Sequence, residues 1–108
     1  MEHRASRPAR ERAIRSRLCQ LIQGDGVIHG SLVQMARVCG NAGCRCQRGA
    51  KHVSWYLAVS AHGNKRMIYI PSPWERRVRE WVQRYQDIRG RLEALSECHW
   101  QQIRQRQR

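Results

Sequence analysis

At 108 residues the chain is expected to form one domain at most, so any sizeable core must be assembled from a few elements or shared with a second copy. Lysine and arginine number 21 against 8 aspartates and glutamates, a formal net charge of +13, and Lys51 and Lys65 are the only lysines. An arginine excess of this size repels itself in a compact chain and points towards a polyanionic partner, nucleic acid first, although an ordinary solvated surface would also carry arginine. No apolar run is long enough to span a bilayer, and MEHRASRPARER has no hydrophobic region behind its basic residues, so a cytoplasmic protein without membrane contact or signal peptide is expected.

Residues 1–8 are polar, basic and broken by Pro8, the pattern of a flexible basic arm. A single domain is expected over 9–98. From Ala9 to Gln23 the residues Ile14, Leu18, Leu21 and Ile22 fall on one face of an amphipathic helix that Gly24-Asp25-Gly26 ends, with Cys19 beside that face as a small semi-buried side chain. Val27 to Val38 is short and flanked by glycine, which favours a strand.

SWYLAVS alternates Trp55, Leu57 and Val59 with Tyr56 and Ala58, AHGN supplies turn residues, and KRMIYI resumes an apolar run that Pro71 ends; together they predict a β-hairpin. Ser72-Pro73-Trp74-Glu75 then spells a helix start, with serine as cap, proline at the first helical position and glutamate closing a capping box. In the helix that follows, Val78, Trp81, Tyr85, Ile88, Leu92 and Leu95 recur at alternating steps of three and four, widened by Trp74 and Val82. Such a coiled-coil-like seam over 74–95 predicts packing against the first helix, a homodimer, or both. Gly90 falls on the solvent face, and 99–108 reads as a basic, polar tail that frays.

Cys39, Cys44 and Cys46 form C-x4-C-x-C, with His52 a short polar segment further on. Three thiolates and an imidazole suit a tetrahedral, structural Zn2+ site, and Gly40 and Gly43 allow the tight turns that such a knuckle requires. His29, Cys98 and His99 are alternatives to His52 as fourth ligand. A redox site would call for C-x-x-C opening a helix, and neither spacing here matches it. A closed four-ligand site leaves no open position for catalysis, and no nucleophile–base pair, paired carboxylates or phosphate-cradling glycine loop indicates an enzyme or a small-molecule substrate.

The run GSLVQMARVCGNAGCRC, then QRGAKH, the WYL strand, GNKRMIYIP and the helix bearing EWVQRYQDI resemble a family of small bacterial and archaeal proteins known as a domain of unknown function and often met beside transposases and other mobile elements. The resemblance spans roughly Gly30 to Leu95. Its CG-x3-C-x-C…H signature falls on Cys39, Gly40, Cys44, Cys46, Gly49 and His52, and its basic hairpin pair on Lys65 and Arg66. The family often has Gly-Pro after the histidine, where Val53-Ser54 stand here.

Arg45, Arg48, Lys51, Lys65 and Arg66 cluster around the knuckle and hairpin with Trp55, Tyr56 and Tyr69 interleaved, a set able to reach phosphates. Trp55 and Tyr69 could equally be core, with the cations merely solvating the loop. Arg77, Arg84 and Arg91 recur along the seam edge; Glu80 and Asp87 stand four residues before Arg84 and Arg91, in place for intrahelical ion pairs, which leaves Arg77 as the remaining candidate contact.

The expected protein is therefore an α+β, zinc-stabilised domain made of an N-terminal helix, short strand, Cys3His knuckle, β-hairpin and long C-terminal helix. It is expected to bind nucleic acid, DNA above all, without catalysis, as an accessory or regulatory factor associated with mobile elements. The alternative is a protein-interaction or dimerisation module using the heptad helix and aromatic hairpin, its basic surface meeting an acidic partner.

Overall fold

The computed structural model describes residues 8–37, 43 and 52–106, with Arg37 and His52 defined in their backbone alone. The element order is α1 (Ala9–Ile22), β1 (Ser31–Arg37), β2 (His52–Ala61), β3 (Asn64–Ile70) and α2 (Glu75–Arg106). The α+β class is as expected. The chain divides into two compact units, one of residues 28–82 holding the sheet and the first turns of α2, the other of residues 1–27 and 83–108.

In the sheet unit the three strands are antiparallel in the order β1-β2-β3. β1 covers Ser31–Arg37 and so begins four residues after Val27, where the expected stretch starts. The β2–β3 connection is His62-Gly63, with φ of 53° and 79°, flanked by the pair Ala61↔Asn64. Positive φ at both central residues marks a type I′ turn, whose twist matches that of the paired strands. Glycine tolerates this geometry without a Cβ clash, which explains how a two-residue loop closes the hairpin.

Because side chains alternate across a strand, register assigns each to a face. Leu32, Leu57 and Ile68 form one cross-strand row, and Gln34, Trp55 and Ile70 the next. On this side Leu57 is 1% exposed and clusters with Ile70 and Val78, flanked by Ile28, Trp81 and Val82, so the first turns of α2 cover the face. Glycine is needed at Gly30, where a Cβ would stand 2.9 Å from Leu57 Cδ1 and 3.0 Å from the Ala58 carbonyl oxygen. Just before it, the Ile28 amide donates to the Trp81 carbonyl at 3.2 Å, tying the entry of β1 to α2.

The start of α2 departs from the expected capping box. Ser72–Trp74 form a 3₁₀ turn without a side-chain cap, held by the Trp74 amide donating to the Pro71 carbonyl at 2.9 Å, and the α-helix begins at Glu75. Glu75 instead pairs with Arg79 at 3.0 Å, one turn on. A carboxylate with a favourable i, i+4 guanidinium gains about as much there as from reaching back to a cap, a few tenths of a kcal/mol.

In the helical unit α1 runs antiparallel to α2. Leu21 and Ile88 are buried, Ile14 and Leu18 partly so, while Cys19 is exposed rather than semi-buried. The unit also buries a carboxylate: Glu11 is 3% exposed, although it stands in the first turn of a basic helix. Its oxygens take Arg15 Nε at 3.1 Å, His99 Nε2 at 3.3 Å and Gln102 Nε2 at 3.5 Å. These contacts explain why α2 continues to Arg106 where a fraying tail is expected from 99, since the two seam positions that are polar, His99 and Gln102, meet a polar partner. At the other end, Arg84 reaches the segment after α1 and donates to the Gly26 carbonyl at 2.6 Å.

Candidate nucleic-acid interface

The knuckle residues Cys39, Cys44 and Cys46, and with them Arg45, Arg48 and Lys51, lie outside the described residues, as do residues 1–7 of the arm. The described frame ends in the backbone pair Arg37↔His52, the last of the β1–β2 ladder, so the two ends of the intervening segment are neighbours at one end of the sheet. Opposite partners in an antiparallel ladder stand about 4.5–5.5 Å apart. Among the described residues no group of three or more His, Cys, Asp and Glu side chains is gathered as a metal would require. Cys98 is half-buried in the helical unit, a free thiol like Cys19.

The register separates the two basic hairpin residues, which the sequence presents as a pair. Lys65 stands opposite Ser60 and Arg66 opposite Val59, so they leave the sheet on opposite faces, Arg66 on the side of α2. Both are exposed. On an edge strand such charges also discourage pairing with another chain, a structural role compatible with ligand contact.

Lys65 shares its face with an open aromatic surface. Val33, Tyr56 and Tyr69 form one cross-strand row there, with Ser31, Ala58 and Met67 in the next. The Tyr56 and Tyr69 rings are 5.8 Å apart and tilted by 39°. Tyr69 is 52% and Met67 46% exposed. A shallow depression of about 280 Å³, lined in part by Ser31, Ala58, Ser60, Lys65 and Met67, lies beside them. Of the two aromatics weighed as core, Trp55 is core-facing and Tyr69 is not; alternation across β2 and β3 decides this, since Trp55 and Tyr69 are one register position out of phase.

Arg77 sits on the helix with its guanidinium 5.1 Å from the Trp74 ring and 6.0 Å from the Trp81 ring, those two rings meeting edge-on at 6.1 Å. Arg79 lies 4.8 Å above Trp55. Cation–π packing of this kind, about 0.5–1 kcal/mol at exposed sites, thus occupies Arg77, which the sequence offers as a phosphate contact, and Arg79, which it does not. The expected intrahelical ion pairs are also replaced. Glu80 pairs with Arg76 at 3.6 Å, Asp87 receives the Gln83 amide at 3.2 Å, and Arg84 turns to Gly26.

The family model for the domain of unknown function DUF6788 matches residues 8–80, which hold α1, the whole sheet and the first turns of α2. The chain belongs to this family. No curated protein and no solved structure matches it. No helix among the described residues is long and apolar enough to cross a membrane.

Proposed function

We propose that this protein is a non-catalytic, zinc-stabilised nucleic-acid-binding factor, acting as an accessory or regulatory protein, with DNA of a mobile element as its favoured partner. The observation that carries this reading is the open sheet face, where Tyr56, Tyr69 and Lys65 stand together in a chain of net charge +13. Aromatic rings on an exposed sheet offer bases a π-face to stack on, worth about 1–3 kcal/mol per base, while nearby cations hold the phosphates. Lys65 supplies one such cation directly, and Arg45, Arg48, Lys51, Arg66 and Arg77 are the further candidates. Stacking on this face calls for bases that are splayed out, so single-stranded or opened DNA should bind more tightly than closed duplex.

Zinc enters this reading through the donor set. Cys39, Cys44, Cys46 and His52 supply three soft donors and a borderline one, the complement of a structural Zn2+ site. The Arg37↔His52 pairing is compatible with it, since in the sequence Cys39 stands only two residues beyond Arg37. Bound there, zinc would contribute folding energy and rigidity to the segment carrying Arg45 and Arg48.

Titrating labelled single-stranded and duplex DNA across a salt series tests the reading, with Tyr69→Ala as the variant and elemental analysis of protein purified without added metal alongside. Binding that falls log-linearly with salt and drops for Tyr69→Ala is expected. Flat isotherms at low salt would sink it. A protein partner or a second copy is the competing reading, favoured by the exposed Leu92, Trp100 and Ile103, which follow one another along a single face of α2. Affinity indifferent to salt would point to that partner instead.

A further inference from the structure

Within the helical unit, α1 and α2 leave between them a groove of about 330 Å³ that the DNA-binding reading above does not use. Its lining includes Arg10 and Arg17 from α1 and Arg91 from α2, around the small residues Ala13, Gly90 and Ala94. Arg10 and Arg17 are seven positions apart, about two helical turns, and so share a face. Among the described residues no acidic one lines the groove. Asp87, the carboxylate spaced to neutralise Arg91, is engaged by Gln83, and Arg17 donates to Gln20 at 3.1 Å, a contact that takes one of the five N–H donors of a guanidinium.

Three arginines bordering one concavity of otherwise mostly apolar lining raise the local potential, and anionic oxygens held between them would relieve their repulsion. Gly90 borders the groove with room to spare: an added Cβ there would meet no heavy atom within 4 Å, so a side chain placed at this position can stand over the arginines without a clash.

We infer that this groove is a phosphate site, taking the phosphodiester backbone of a nucleic acid through Arg10, Arg17 and Arg91. The assignment of the source rests on the DNA-binding reading, whereas the phosphate chemistry does not. Contacts here would be sequence-independent and would add to those of the sheet face. The α2 half of the groove lies beyond the residues that the family model matches, so it is a feature of this chain in addition to the shared region.

Gly90 provides the test. Gly90→Ala should leave binding unchanged, whereas Gly90→Glu places a carboxylate among the arginines without disturbing packing, and Arg17→Gln with Arg91→Gln removes two cations. Duplex and single-stranded DNA are titrated over a salt series, and inorganic pyrophosphate is titrated by calorimetry, with helicity checked by circular dichroism. The expected result is a salt slope reduced by about 0.9 for each duplex phosphate lost, near 2 for the double variant, with affinity at least tenfold weaker for Gly90→Glu. A wild-type slope in both variants, while Tyr69→Ala still weakens binding, overturns the groove and leaves the DNA-binding reading standing. If wild-type protein binds no nucleic acid but binds pyrophosphate, and Gly90→Glu abolishes that, the phosphodiester source is overturned together with the DNA-binding reading.

Discussion

The sheet unit closes over apolar side chains, Leu57, Ile70 and Val78, whereas the helical unit buries the carboxylate of Glu11 beside Leu21 and Ile88. The difference bears on how each unit is specified. Apolar burial is non-directional, and in the sheet it is register between strands, fixed by the His62-Gly63 turn, that decides which side chains receive it. Two helices with apolar seams can slide by a turn and keep much of their contact. A buried carboxylate that meets His99 and Gln102 favours one alignment, since a slip strips it of both and leaves it buried with partners from its own helix such as Arg15. The helical unit thus spends stability on uniqueness, at a site where the sheet unit needs none.

The contrast can be broken most forcefully at Leu57. Truncation to alanine should cost about 2–5 kcal/mol by lost burial and a cavity, and hydrogen exchange should accelerate in β1–β3 before it does in α1. Equal acceleration in both would mean that the two units unfold as one. Glu11→Ala is the reciprocal variant: losing the charge-assisted bonds to Arg15, His99 and Gln102 should cost about 1–3 kcal/mol, with exchange rising first in α1 and in 99–106 of α2. Retention of helix through Arg106 in that variant, judged by chemical shifts, would show that the carboxylate does not anchor the tail.

Gly30→Ala sharpens the packing side of the comparison, because its Cβ would press on Leu57 and on the Ala58 carbonyl. A loss of about 1–3 kcal/mol in chemical denaturation is expected, and a neutral result would show that the sheet core has slack. The smallest effect belongs to Gly63→Ala. With φ of 79° and nothing within 4 Å of its Cβ, the cost is conformational alone, about 1–2 kcal/mol at most, with strand pairing intact by nuclear Overhauser contacts.

Much of this architecture is legible in the sequence because it follows from periodicity. Alternation at Trp55, Leu57 and Val59 identifies β2, the glycine after His62 marks the turn, and the steps of three and four from Val78 to Leu95 identify α2. What escapes reading is decided between elements. Glu11 looks like a solvated first-turn acid until His99 and Gln102 are brought to it, and by the same token those residues look like the end of a seam. Intrahelical pairing for Arg84 is worth only a few tenths of a kcal/mol, too little to compete with the Gly26 carbonyl. The arginine groove needs two helices to exist; the signal that could have found it is the small-residue combination of Ala13, Gly90 and Ala94 flanked by arginine on each helix. The Lys65–Arg66 pair was separable by the strand period alone.

The pairing of Arg37 with His52 carries a thermodynamic consequence of its own. Forming that rung holds residues 37 and 52 together, so if a metal binds in the intervening sequence much of the loop-closure entropy is already met. By linkage, an ion held between Cys39 and His52 would strengthen the terminal rung by the same factor as the rung strengthens the ion's binding. Under that proposal metal affinity and the fraying of β1 from β2 would be two readouts of one equilibrium, and the amide exchange of residues near position 37 would gauge loading without a spectroscopic metal.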